Sequence, residues 1–178
     1  IAEHASWSRQ WLGDLPKERK EDLLALMEKE DADDVRKLLT YPEDSAGGIM
    51  TTEYASIHPN LTASEAIKEL RGMADEVETM FYVYVLDAEQ HLVGTFSLNN
   101  LIFARPGQMV ADFMSKRLIT VNLTDDQETV AQTVAKYDLL AVPVVDETNH
   151  LHGIVTADDA LDKIIPTAWK KRLPRFYR

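Results

Sequence analysis

The sequence predicts an α/β (α+β) fold, made of two copies of a β-α-β-β-α unit behind a short all-helical segment. Three observations predict it. Apolar residues near the start recur at helical spacing. From Ile49 onward the chain repeats itself. Both copies carry the same capping signature at the start of a helix.

Residues 5–40 read as helices, with Leu23, Leu24, Leu26 and Met27, then Val35, Leu38 and Leu39, on apolar faces. Asp14-Leu-Pro16 separates the first helix from the next, and Asp31 to Asp34 reads as a boundary before a further short helix. Pro42 ends the region. Gly47-Gly48 reads as a flexible turn, because glycine reaches conformations that other residues resist.

The first copy runs from about Ile49 to Ala104 and the second from Phe113 to Ile165. Met50 answers Met114, and Leu61-Thr62 answers Leu123-Thr124. Tyr84-Val85 and Asp87 answer Val144-Val145 and Asp146, and Gly94 to Ser97 answers Gly153 to Thr156. Thr62-x-x-Glu65 and Thr124-x-x-Gln127 read as capping boxes that open helices over Ala63–Arg71 and Asp125–Tyr137. Phe81–Leu86 and Ala141–Val145 read as buried strands, and His91–Phe96 and Leu151–Val155 as return strands. Pro143 is expected near the start of its strand, where a missing N–H is tolerated. The expected domains are 1–44 (helical), 45–108 and 109–165 (the two copies) and 166–178 (a basic tail or linker).

Charge and composition narrow the function. Net charge is −11, yet Trp169 to Arg178 holds five basic residues, so the remainder has 14 basic against 30 acidic, near −16. Such a body repels nucleic acid and attracts cations. With no cysteine in the chain, disulfides, thiolate zinc sites and cysteine nucleophiles are excluded. No run of about 18 apolar residues predicts a membrane-spanning helix. A start at Ile1 without a signal-peptide pattern is consistent with a piece of a longer chain. No nucleophile–base arrangement is visible, so no catalytic residue is assigned and no enzyme is expected. His91 and His150 fall at equivalent turns and read as surface residues, while His150 and His152 alternate across a strand and make a poor metal pair.

The repeat, ending in Gly153-x-x-Thr156-x-x-Asp159, resembles the CBS domain, which works as an intramolecular pair. Tyr41 to Thr51, together with Asp126-Gln-Glu128 and Tyr137-Asp138, is similar to the cytosolic part of MgtE-type magnesium transporters. The resemblance implies a cytoplasmic sensor, at the cytoplasmic face of the membrane, that binds Mg2+ between acidic faces. It implies a homodimer through the CBS domains that gates a pore domain in cis or in trans by compaction, with no nucleic-acid partner.

Matched residue by residue, the implied metal ligands are Asp126, Glu128, Ala135 (by its carbonyl), Asp138, Asp159 and Asp162. A hard cation such as Mg2+ suits oxygen donors and keeps several waters, so few carboxylates per site suffice. Read without the resemblance, Asp126 and Glu128 are also ordinary N-terminal helix charges. The chain departs from the family beyond Asp162, where Pro166 to Pro174 is basic and interrupted by prolines instead of an acidic connecting helix. The resemblance also implies an adenosine (ATP or AMP) pocket at Tyr82, Ser97, Asn100, Thr156 and Asp159. In that pocket a carboxylate accepts two ribose hydroxyls, which the amide oxygen of Asn100 replaces poorly, and Leu139 stands where the family has an aromatic. Helix capping by Ser97 and Thr156 is the alternative, as are a nucleotide sensor and a plain dimerisation scaffold for the whole chain.

Overall fold

The fold is described from a computed structural model, which describes residues 19, 22, 24–27, 29–74, 77 and 79–164. The helices expected before residue 19, with their break at Asp14-Leu-Pro16, and the basic tail after Ile164 lie outside these residues. Among the described residues, no helix is long and apolar enough to cross a membrane.

Helix α1 (Lys29–Leu38) runs unbroken through Asp31–Asp34, so the boundary expected there is not found. The break falls earlier, in the turn at Ala25–Met27, which the Met27 N–H closes onto the Leu24 carbonyl. Ala32, Val35 and Leu38 recur on one face and are buried, while exposed Asp33 pairs with Arg36 at 2.8 Å. Ala32 on the buried face and Asp33 on the exposed one fit a single amphipathic helix, so these residues do not interrupt it.

Two three-stranded sheets follow. The first holds β1 (Tyr54–Ile57), β2 (Thr79–Leu86) and β3 (Leu92–Ser97), the second β4 (Val121–Asn122), β5 (Ala141–Val145) and β6 (Leu151–Thr156). In each, the first pair is parallel and the second antiparallel, with a crossover helix, α3 (Ala63–Gly72) or α6 (Gln127–Tyr137), between first and second strands. Each closes with a helix, α4 (Leu98–Phe103) or α7 (Ala157–Ile164). The strand registers place Val85 opposite Gly94 and Val144 opposite Gly153, so Val85-Leu86, one residue on from the expected Tyr84-Val85, answers Val144-Val145.

The short helices α2 (Ala46–Ile49) and α5 (Val110–Phe113) lead into the two copies, and each lead segment sits on the other copy. Thr51 exchanges two backbone hydrogen bonds with Ile154 of β6, at 2.8 and 2.9 Å. Ser115 does the same with Thr95 of β3, at 2.8 and 3.0 Å. This exchange explains the repeated Gly and Met. A Cβ on Gly94 would run into the Met114 thioether, and one on Gly153 would lie 2.6 Å from the Thr51 carbonyl and 2.8 Å from Met50 Sδ. Gly47 and Gly48 do not form the flexible turn expected of them. They lie buried inside α2 with ordinary φ, and are small because the Tyr41 ring and the Pro42 carbonyl press on them.

Pro143 sits in the middle of the central strand rather than near its start. Its partner Ile154 turns its N–H and carbonyl away, toward Thr51, so this is a non-hydrogen-bonded pair. The missing N–H faces the β4 side, where the ladder begins only at Val144.

Three cores result. One belongs to the first copy and includes Ala55, Val83, Phe96 and Leu101. One joins α1 to the second copy, packing Val35 and Leu38 with Val130, Val134, Val142 and Val155. The third, with Tyr84, Leu86 and Leu92 from one copy and Ala141, Val145 and Ile154 from the other, fuses the two sheets. Burial pushes the Tyr84 phenol up, and its hydroxyl has no hydrogen-bond partner among the described residues.

Candidate functional site

Helix α6 positions most of the acidic candidates. Its N-cap is Asp126, whose carboxylate accepts the Thr129 N–H at 2.7 Å. The expected Thr124–Gln127 box does not form, because the Gln127 N–H goes to the Asp44 carbonyl and the cap moves two residues on. The Thr129 N–H, foremost among its hydrogen bonds, holds the Asp126 carboxyl below its ordinary value. Glu128 follows in the first turn, and both side chains are exposed. In the first copy the Thr62–Glu65 box forms as expected.

At the other end Asp138 is the C-cap in the left-handed region (φ 51°, ψ 48°), a conformation in which Asp and Asn outlive most residues. The Asp138 and Leu139 N–H groups both reach the Val134 carbonyl. A continuing helix would give the Leu139 N–H to Ala135, so that carbonyl is left outside the helical ladder beside the exposed Asp138. Asp126 and Asp138 are twelve residues apart, about 18 Å along the axis, so one ion cannot bridge them. Helix α7 packs along α6 and carries Asp159 and Asp162. Asp159 accepts the Thr156 hydroxyl at 2.8 Å, and the side chain of Asp162 lies outside the description.

The nucleotide candidates are scattered through capping interactions. Ser97 donates its N–H and its hydroxyl to Asn100 Oδ1 at 3.0 and 2.8 Å, and the Asn100 N–H returns to Ser97 Oγ at 3.3 Å. In the second copy the buried Thr156 donates its hydroxyl to Asp159 in the matching position. Tyr82 is half-buried opposite Ser97. A groove of about 480 Å3 runs between Leu118–Thr120 and the Thr129–Tyr137 side of α6, and none of these five residues lines it.

Sequence reasoning missed a second cluster, at the turns joining each strand pair. Among the described residues, Asp87, Glu89 and His91 are the one set of three or more such side chains whose ligand atoms lie within 4.8 Å of one another. Asp87-x-Glu89-x-His91 was the available signal. His91 and His150 are not separate surface residues. Their rings stack with centroids 4.4 Å apart, and the two turns are tied by Asn149, whose carbonyl and amide meet the Leu92 N–H and carbonyl at 3.0 and 2.8 Å. His150 and His152 do not point apart either. Both rings reach Asp146 Oδ2, at 3.5 and 3.1 Å, because the register steps from Gly153 to Leu151 and His152 becomes the extra residue of a bulge. The His152 ring, then the Thr148 hydroxyl, hold the Asp146 carboxyl far below the usual range. Burial pushes the Asp87 carboxyl up, but the bonds from the N–H and ring of His91 and from the Glu89 N–H outweigh it and keep the carboxyl low.

The comparisons agree with this architecture. The CBS domain family matches residues 46–107 and 110–166, and the MgtE intracellular N domain family matches residues 9–44. The magnesium transporter MgtE of Enterococcus faecalis is 50% identical over 135 residues, which cover 76% of this chain and 30% of the relative. Among solved structures, the soluble part of a magnesium transporter superposes with a TM-score of 0.87 at 45% identity, over 90% of this chain and 63% of that one. The cytosolic domain of the Mg2+ channel MgtE in complex with ATP gives 0.87 at 37% identity, over 91% and 66%. The chain spans about a third of the length of the curated MgtE relatives it matches. The chain belongs to the CBS-domain family, as a tandem pair of the MgtE magnesium transporter type preceded by a stretch matching the MgtE intracellular N domain.

Proposed function

We infer that this chain is the regulatory, non-enzymatic module of an MgtE-like magnesium transporter, working at the cytoplasmic face of the membrane. Mg2+ binds its acidic faces, and the resulting compaction of a CBS homodimer gates a pore domain carried in cis or in trans. The observation that carries this reading is the end of α6. There the released Ala135 carbonyl and the exposed Asp138 carboxylate present oxygen donors, with Asp159 and Asp162 on the neighbouring α7. Asp126 and Glu128, at the far end, belong to a separate ion. Such donors suit a hard cation that keeps most of its waters. Neutralising a body near −16 removes the repulsion that opposes a compact state. The homodimer reading is supported by exposed Leu98, Ile102 and Phe103 of α4 and Leu161 of α7, an apolar set on the closing helices of both copies.

The test is a thermal melt of the chain titrated with Mg2+ against Na+ at matched ionic strength. A saturable, magnesium-specific rise in Tm is expected, reduced in Asp138→Ala. A rise equal to that in Na+ is simple screening and removes the reading. An ATP complex in a related cytosolic domain favours a second reading, nucleotide sensing. Against it, Asn100 Oδ1 already accepts two bonds from Ser97. Stabilisation by ATP or AMP that is lost in Asp159→Ala would install that reading instead.

A further inference from the structure

We propose that the first-copy turn Asp87–His91 is a site for a borderline divalent transition ion of the Zn2+ and Co2+ class, separate from the oxygen-only magnesium sites. The two turns that meet at the seam between the copies share one frame. In each, an Asp Oδ1 accepts the N–H groups two and four residues on: Glu89 (3.1 Å) and His91 (2.8 Å), or Thr148 (2.9 Å) and His150 (3.0 Å). In each, the fourth residue is left-handed, Gln90 at φ 69° and Asn149 at φ 67°. The frame fixes one carboxylate oxygen and directs the other, Oδ2, toward the histidine.

The turns differ at the middle position. In the second copy Thr148 closes the turn: its hydroxyl lies 2.7 Å from Asp146 Oδ1 and 2.7 Å from His150 Nδ1, and His152 takes Asp146 Oδ2. In the first copy Glu89 stands there instead. Its carboxylate makes no hydrogen bond among the described residues, and lies within 4.8 Å of the donor atoms of Asp87 and His91. Asp87 Oδ2 and His91 Nδ1 are 3.0 Å apart. Metal–ligand bonds of about 2.1 Å put neighbouring donors about 3.0–3.4 Å apart, so this spacing accepts an ion in place of the shared proton. His91 is held from its other side by the His150 ring at 4.4 Å, which restricts its rotation. One imidazole nitrogen with two carboxylates selects a transition ion over Mg2+, which prefers oxygen alone. The seam position means that the bound ion also stiffens the contact between the two copies.

The experiment is a titration of the chain, free of any histidine tag, with Co2+ in the presence of excess Mg2+, read by visible absorption and by Tm. One equivalent is expected to bind with a band that reports nitrogen ligation. His91→Ala and Glu89→Gln are each expected to weaken binding by at least the ~10–100-fold that even outer partners of a metal cost. Glu89→Gln changes only an exposed carboxylate, and its metal-free Tm serves as the folding control. Binding unchanged in both variants, or Co2+ displaced by Mg2+, overturns the site. Neither result touches the magnesium reading, whose ligands are elsewhere.

Discussion

At Gly94 an added side chain would meet the thioether of Met114, a flexible group. At Gly153 it would meet the Thr51 carbonyl as well as Met50, and backbone does not give way. The two copies are thus alike in plan and unlike in tolerance. The same contrast holds at their ends. The first copy closes on a neutral Ser97–Asn100 pair and has a core of its own, while the second closes on Thr156 with a carboxylate and shares its core with α1. Every acidic candidate for magnesium lies in the second copy. The lesson is that the repeat preserves what the exchange of lead segments requires, Gly against Met. The surfaces beyond that contact were free to diverge.

Three measurements can break or sharpen this comparison. The largest effect is expected from glycine. Gly153→Ala should cost about 1–3 kcal/mol in urea unfolding, as overpacking does, and Gly94→Ala less, because Met114 can rotate. Equal costs would mean that the lead segments move as freely on one sheet as on the other. Next come the caps. Thr62→Ala should cost about 1 kcal/mol. Thr124→Ala should cost nothing measurable, since Asp126 caps α6, and a loss there would return the cap to Thr124.

The smallest effect is the acid response of the two turns. Asp146 and Asp87 have carboxyls lowered on folding. Their contribution is therefore complete above the ordinary carboxylate value and is lost as pH falls through the folded one. Unfolding followed from pH 5 down to pH 2 should show the loss shrink in His152→Ala, where the foremost cause of the Asp146 shift is gone. An unchanged profile would assign the acid loss to other carboxylates.

Local pattern made much of this legible. The apolar runs placed β2 and β5 to within two residues, and Thr62-x-x-Glu65 named a real capping box, because both signals are written within one element. The errors came where another segment decides. Thr124-x-x-Gln127 carried the same motif, but Asp44 took the N–H that the box needed. Gly47-Gly48 had a turn's composition, but Tyr41 and Pro42 demanded small residues inside a helix. His91 and His150 read only as surface residues at equivalent turns because no spacing within one copy reveals that the other copy's turn will stack upon it.

By itself, the sequence determined the repeat, the order of elements within each copy and the acidic character of the body. Periodicity, capping and charge are local or additive properties, and need no partner to be read. Only the tertiary structure decided which copy each lead segment sits on and why Pro143 is tolerated mid-sheet. It also decided that α6 releases the Ala135 carbonyl beside Asp138, and that the two turns meet at one seam. These are pairings between residues distant in the chain. Their geometry is fixed when the shared core around Tyr84 and Ile154 forms, and no single stretch of sequence specifies it.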